Sequence, residues 1–597
     1  MSPTPMPAPK VLVVFSDGTG NSAAKLQKTN VWRLYRALDL AAPTPQQTAA
    51  GEAAQFALYD GGVGASEFRP LALLGGVFGY GLKRNVLDLY KFLCRNYRPG
   101  DRIYAFGFSR GAFTIRVLMG FVLRVGLLEC NDEASLHRDA PIAYRKYRRH
   151  FKARNLAGVF RWLRDKAFDF WGRLVTLRVA PGYVHVDAIE FVGVWDTVAA
   201  YGMPIVEMTR GVDQWIWPTS MPNYVLSSRV KQARHALALD DERDTFHPLL
   251  WDEAAEAPPG DAPPRLQQVW FAGMHSDIGG GYPDDSLAHV ALDWMMDEAQ
   301  RCGLRFKPGA REQVTLEMNA LGPLHDSRSS LGMYYRYQPR RLGGLIEPPD
   351  PATLAMQDPD RARAHGRLRD VLVHPSVLQR IRSNAGGYAP IALAPRFSVW
   401  NPSGEPHAVV DVAADLDAVW NDVWRRRVAY FASVMSTLAL FALVWLPEST
   451  CQGFGCLLSR AIVALGKFAP DMALPVVRAW AANPGVFATL VFVLLLARYW
   501  SGALQRSIDD QMSVRWRASL GRAAALPSVA AADESPAGTP SPAQVRRSDA
   551  VIARLRKAWL YQKALQWLKW RVAPAAFAAL LLFIAGAAVF VLFSLAF

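Results

Sequence analysis

Between Lys10 and Pro402, short apolar runs rich in β-branched and aromatic residues alternate with longer amphipathic stretches. This is the pattern of βα units wound around a mostly parallel sheet with helices on both faces. The segments Val11–Phe15, Ala54–Tyr59, Arg102–Phe106, Ala188–Val194 and Gln268–Ala272 read as strands. Each gives way to a turn: Ser16–Gly20, Asp60–Gly64, Gly107–Gly111, Trp195–Thr197 and Met274–Gly281. Ligands of open α/β sheets bind at such carboxyl ends. After Pro402 the pattern changes, and Val428–Leu446, Ala479–Ala497 and Val572–Phe597 carry no charge over 19, 19 and 26 residues. Each is long enough to cross roughly 30 Å of hydrocarbon at about 1.5 Å per residue, so three transmembrane helices are expected.

Composition agrees with membrane contact. Apolar residues make up 51% of the 597, charged residues only 20%, and there are 19 Trp, which excludes a disordered, collagenous or coiled-coil chain. The net charge of +15 calls for an acidic partner, and its placement favours lipid over nucleic acid. Arg425, Arg426 and Arg427 abut the first span, and Arg498–Arg571 holds thirteen Lys or Arg against five acids. Both segments are therefore expected on the cytoplasmic side of a multi-pass inner-membrane protein. The intervening Pro447–Arg478 then faces outward, where Cys451 and Cys456 are spaced to close a small disulfide. Within the basic segment Arg546–Arg571 interleaves cations with Trp559, Tyr561, Trp567 and Trp570, the make-up of an interfacial helix on anionic lipid. The proline-rich Met1–Lys10 is expected to be disordered and is no conventional signal peptide. Five cysteines without C-x-x-C spacing give no metal site, and no cofactor is expected.

The sharpest chemical signal is Gly107-Phe108-Ser109-Arg110-Gly111, set between a strand and a helical run. A serine nucleophile at such an elbow sits on a strained turn, and flanking glycines let the neighbouring backbone pass where a Cβ would clash. A hydroxyl needs a base, and the partners follow in the order acid, then His. Asp277, before a glycine run, is the favoured acid, and Asp196 after another strand is the second candidate. His374, in Val373-His374-Pro375, is the favoured base by order and by its place on a broken apolar run. Asp17 and His275 are further supporting candidates. The oxyanion formed on attack needs aimed N–H groups, expected from Arg110 and from Gly18 or Thr19 in the first turn. The Asp17-Gly18-Thr19 triplet is not a haloacid-dehalogenase motif, since Phe15 stands where the first Asp should be.

Taken together, Phe15–Thr19, Gly107–Ala112, Gly193–Val198, His275–Tyr282 and His374–Val377 resemble the α/β-hydrolase family of type VI secretion phospholipase effectors, the first class of type VI lipase effectors. The resemblance spans about Lys10–Pro395. It implies an α/β-hydrolase domain over 11–402 that cleaves glycerophospholipid esters with a triad of Ser109, Asp277 and His374. It also implies delivery into a target cell and an immunity or delivery protein as partner. The remainder is expected to be a juxtamembrane segment over 403–427, the spans 428–446, 479–497 and 572–597, and a basic loop over 498–571. An insertion at 137–178, with Arg145, Arg148, Arg149, Trp162 and Trp171, is expected to act as a lid on the lipid surface. Two rival readings stay open: a Ser/Asp dyad in which His374 is dispensable, and a non-catalytic membrane receptor that kept the fold.

Overall fold

A computed structural model describes residues 9–18, 26–44, 46, 52–61, 80–129, 132–149, 166, 182–199, 224–257, 264–346, 366–401, 408–411, 416–447, 453–523, 547–577 and 579. The chain divides into two compact units. One comprises residues 1–327, 339–412 and 557–597; the other comprises 328–338 and 413–556.

In the first unit the described strands are β1 (Val11–Ser16), β2 (Gln55–Asp60), β3 (Arg102–Phe108), β4 (Leu127–Leu128), β5 (Tyr183–Val184), β6 (Ile189–Trp195), β7 (Val230–Ala238), β8 (Leu266–Phe271), β9 (Leu372–Val373), β10 (Arg396–Val399) and β11 (Ala408–Asp411). Among the described residues nine of them form one sheet in the order β11-β10-β9-β8-β7-β6-β3-β1-β2, and only the β10/β11 pairing is antiparallel. The α/β sheet expected from the sequence is therefore present. Its inner strands β1, β3, β6 and β8 are buried on both faces, as a parallel sheet requires. In β1 and β3, Leu12, Val14, Ile103 and Ala105 face one core, while Val13, Phe15, Tyr104 and Phe106 face the other.

The first face is covered by helices α2 (Tyr80–Asn96), α3 (Arg110–Val125) and α4 (Glu133–Arg149), after α1 (Asn30–Ala37) has passed to the second. On that second face α1 is joined by α6 (Ala288–Arg301), which follows the five-residue α5 (His275–Gly279). The α4 helix corrects part of the lid expectation. Leu136, Ala140, Ala143, Tyr144 and Tyr147 are buried in the core, with Tyr144 and Tyr147 against Phe121 at 5.5 and 5.4 Å. Residues 133–149 are thus an amphipathic helix packed on the sheet, with Arg145 and Arg148 half-buried along its outer side. Trp162 and Trp171 lie outside the described residues, as does the side chain of Arg149.

Strand β7 was not legible as one because Lys231, Gln232, Arg234 and His235 interrupt its apolar pattern. The interior tolerates the last two because both find partners. Arg234 pairs with Glu298 at 2.5 Å, and His235 bonds Gln268 at 3.2 Å while accepting the Thr197 N–H at 3.1 Å.

Two helices of the second unit are long and apolar enough to cross a membrane, Asp417–Trp445 (29 residues) and Pro484–Ser519 (36 residues). The first is α8 (Asp417–Ala442) with a short 3-10 continuation. Next come α9 (Phe454–Gly466), α10 (Leu474–Ala482) and α11 (Pro484–Ala523). The run expected at 479–497 is broken at Asn483, and Pro484 opens α11, where its missing N–H costs nothing. The helix then continues through Arg498–Ala523 instead of ending in a loop. Its polar side chains meet the base of α8: Ser507 and Gln511 both donate to Asp422, at 2.8 and 3.1 Å, and Asp422 pairs with Arg425 at 2.6 Å. The next helix, α12 (Arg547–Lys557), is tied to α8 by Arg425 on Ser548 (3.0 Å) and Asp549, and by Arg556 on Asp417 (3.0 Å). It is therefore a docked helix. In the following helix, α13 (Trp559–Trp567), Trp559 and Trp567 are exposed. Cys456 is disulfide-bonded, and Cys451 lies outside the described residues. The expected third span lies outside them too, except 572–577 and 579.

Candidate active site

β1 lies one strand in from the edge of the sheet, with β2 on one side of it and β3 on the other. Such a reversal of strand order, at the carboxyl ends of β1 and β3, is where open α/β sheets bind ligands. Ser109 stands at this point, one residue past β3 and one before α3, with φ 59° and ψ −123°. The conformation is one that L side chains rarely adopt, at a cost of about 1–3 kcal/mol. Backbone bonds hold it: the Ser109 N–H donates to Trp195 O at 3.0 Å, and its carbonyl accepts from Phe113 N–H at 3.3 Å.

The flanking glycines are there for close approach. A Cβ on Gly107 would lie 2.7 Å from Gly111 O, and one on Gly111 would lie 2.1 Å from Ser16 O and 2.4 Å from Asp17 O. The elbow is thus wedged against the end of β1.

His275, the first residue of α5 just past β8, reaches Ser109 Oγ with Nε2 at 2.7 Å. Its Nδ1 meets Asp196 Oδ2 at 2.6 Å, and Asp196 directly follows β6. All three side chains are buried. The imidazole is gripped between rings, with Phe108 at 4.7 Å and Phe246 edge-on at 5.0 Å. Gly279 keeps Phe108 in place, since a Cβ there would fall 2.1 Å from its ring. Burial lowers the His275 pKa, although the Asp196 carboxylate opposes the shift, so the ring is neutral at neutral pH. For Asp196 the balance is reversed. Burial alone would raise its carboxyl, but the Arg340 guanidinium and the bonds from His275 and Arg340 hold it well below the usual carboxylate range. Asp196 also accepts the Ala238 N–H at 3.0 Å, and Arg340 bonds both its oxygens at 2.8 Å.

The structure brings Ser109 together with His275 and Asp196, and not with Asp277 and His374. Asp277 is the third residue of α5, where it accepts the Met274 N–H at 3.1 Å. Its other partner is His325, whose Nδ1 lies 2.6 Å away and whose ring stacks on Tyr282 at 3.8 Å. His374 caps helix α7 (Pro375–Arg382), with Nδ1 2.9 Å from Ser376 Oγ. Its ring stacks between Phe271 (4.6 Å) and Trp400 (5.6 Å), and burial pushes its pKa down to about 3. His374 is thus engaged by Ser376 and by aromatic rings, while Ser109 Oγ is met by His275 instead. The sequence order Ser, acid, His is obeyed by 109, 196 and 275 as well. The signal His275 carries in the sequence is its position shortly beyond a strand end, which His374 shares, so only tertiary contact separates them.

In the first turn Asp17 is a structural clamp. Its carboxylate accepts from Gly18 N–H (2.6 Å), Thr29 Oγ (2.6 Å) and Tyr59 OH (2.5 Å). The Gly18 N–H expected in the oxyanion hole is thus spent on Asp17, and Thr19 lies outside the described residues. Arg110 begins α3, so its N–H is among the first of a helix and adjoins Ser109. Among the described residues no cluster of His, Cys, Asp or Glu is arranged to hold a metal ion.

Residues 10–298 match the type VI secretion family described as phospholipase effector Tle1-like, catalytic domain. A curated relative, the uncharacterised protein YEL023C of Saccharomyces cerevisiae, is 23% identical over 429 residues, covering 53% of this chain and 60% of its own length. The chain thus spans about 60% of that relative. A solved structure of an uncharacterised Pseudomonas aeruginosa protein shares 16% identity over 52% of this chain and 49% of its own, with a TM-score of 0.28. Over residues 10–298, which carry Ser109, Asp196 and His275, the chain is similar to the Tle1-like phospholipase effector family of type VI secretion.

Proposed function

We propose that the chain is a membrane-associated serine esterase that hydrolyses glycerophospholipid acyl esters, with Ser109 as nucleophile, His275 as general base and Asp196 as the orienting carboxylate. The observation that carries this reading is the continuous chain of Ser109, His275 and Asp196, joined at 2.7 and 2.6 Å on a strained elbow at the sheet's switch point.

In that reading Ser109 Oγ attacks the ester carbonyl carbon as its proton passes to His275 Nε2. Asp196 stabilises the imidazolium through Nδ1–H, and the Arg110 N–H donates to the developing oxyanion. Collapse breaks the ester C–O bond, and the departing lysophospholipid oxygen takes the proton from Nε2. Water, deprotonated by the same nitrogen, then releases fatty acid from acyl-Ser109. The exposed apolar side chains of the second unit, among them Phe431, Met435, Leu438, Phe441, Phe492 and Leu495, support seating on or in the bilayer that holds the substrate. The match of residues 10–298 to an effector family supports delivery into a target cell.

The test is fatty-acid release from mixed phospholipid vesicles. Activity is expected to vanish in Ser109→Ala and His275→Ala and to survive in His374→Phe. Loss in His374→Phe with retention in His275→Ala would overturn the assignment. Activity in Asp196→Asn and His275→Ala alike would favour a dyad.

A further inference from the structure

Beyond the family-matched segment, Arg340 lies 144 positions from Asp196 in the chain, and its side chain is 1% exposed. Its Nη1 and Nη2 each donate to a different oxygen of Asp196 at 2.8 Å, the bidentate fork that only arginine offers. The guanidinium is itself fixed by the carbonyls of Phe246 (2.6 Å) and Ala238. Phe246 is also a ring that grips His275. We propose that Arg340 is a positioning residue of the esterase, a buried guanidinium that sets the orientation of the Asp196 carboxylate and shares its charge. The inference rests on the assignment of Asp196 and His275 made above.

Two consequences separate this role from mere structural support. First, the Arg340 fork, together with the Ala238 N–H on Oδ1, is what aims Asp196 Oδ2 at His275. Losing the fork lets the carboxylate turn, and misplacement of a catalytic group by about 1 Å costs on the order of a hundredfold in rate. Second, a carboxylate whose charge is shared with a guanidinium stabilises an imidazolium less than a bare one. Removing Arg340 therefore raises the His275 pKa. His275 must be neutral to accept the serine proton, so the acid limb of the rate profile moves to higher pH. Among the described residues, the other charged or titratable groups facing this pair are Asp241, which accepts the His275 backbone N–H at 3.3 Å, its partner Arg243, and His235 on β7. All of them are left intact.

The experiment measures the pH dependence of Ser109 labelling by a fluorophosphonate and of short-chain ester hydrolysis. It uses the full chain in detergent as parent, Arg340→Gln and Arg340→Lys, with folding checked by circular dichroism. Expected for Arg340→Gln is a fall in kcat of about a hundredfold, KM within about twofold, and an acid limb raised by half a pH unit or more. Arg340→Lys, which keeps a charge but not the fork, is expected to fall in between. If Arg340→Gln does not fold, Arg340→Lys decides, because it leaves no buried charge unpaired. A folded variant with the parent's kcat and the parent's acid limb overturns the proposal. A parent unlabelled at Ser109 would overturn the triad assignment, and this inference with it.

Discussion

Gly111→Ala is the most direct probe of the elbow. The added Cβ would lie 2.1 Å from Ser16 O and 2.4 Å from Asp17 O, where ordinary contact begins near 3.4 Å. Both obstacles are backbone, at the end of a strand paired on each side with β2 and β3, so neither can rotate away. Restoring contact requires the start of α3 to withdraw from β1 by about 1.3 Å, the difference between 3.4 and 2.1 Å. Ser109 and the Arg110 N–H sit on that start. Overpacking of this kind costs about 1–3 kcal/mol of stability, and a shift of about 1 Å at the nucleophile costs on the order of a hundredfold in kcat. The assay is hydrolysis of a soluble short-chain ester with urea denaturation of the same samples. Gly502→Ala, whose Cβ meets nothing nearer than Arg506 Nη1 at 3.9 Å, serves as the control and should keep full activity. A Gly111→Ala protein with parental kcat and midpoint would refute the wedged-elbow argument.

Asp196→Asn is expected to lower kcat by about 10⁴-fold, since an amide cannot hold the His275 tautomer that accepts the serine proton; steady-state kinetics on the same ester checks it. Asp277→Asn disturbs the α5 cap and the His325 pair, so it should lower the thermal midpoint while leaving kcat within about tenfold. His374 makes a pH prediction. Its folded-state pKa of about 3 lies below the ordinary 6.5, so the unfolded chain binds a proton that the folded one refuses. Stability from this group is full above pH 6.5 and is lost as pH falls toward 3, with a slope approaching about 1.4 kcal/mol per pH unit. Between pH 7 and 5 the parent should therefore lose roughly 2 kcal/mol more than His374→Phe in urea titrations; equal losses would sink the argument.

Much of this protein was decided by sequence alone, because the deciding physics is local. Period-two burial on both faces marks strands of a parallel sheet, so β1, β3, β6 and β8 were legible to within a residue or two. A glycine-flanked serine between strand and helix marks an elbow, and long uncharged runs mark Asp417–Trp445 and Pro484–Ser519 as membrane-length helices. Where polar residues were compensated at long range, local reading failed: β7 carries Arg234 and His235 inward because Glu298 and Gln268 wait there. The partners of Ser109 failed for the same reason. Asp196 and Asp277, and His275 and His374, all stand at strand or helix ends with similar neighbours in the chain. Which acid and which imidazole meet the serine depends on strand order, which lays β6 beside β3, and on the rings that aim His275 while enclosing His374. Arg340 had no local signature at all. A guanidinium bonded to a carboxylate 144 positions away exists as a feature only once the sheet has been assembled.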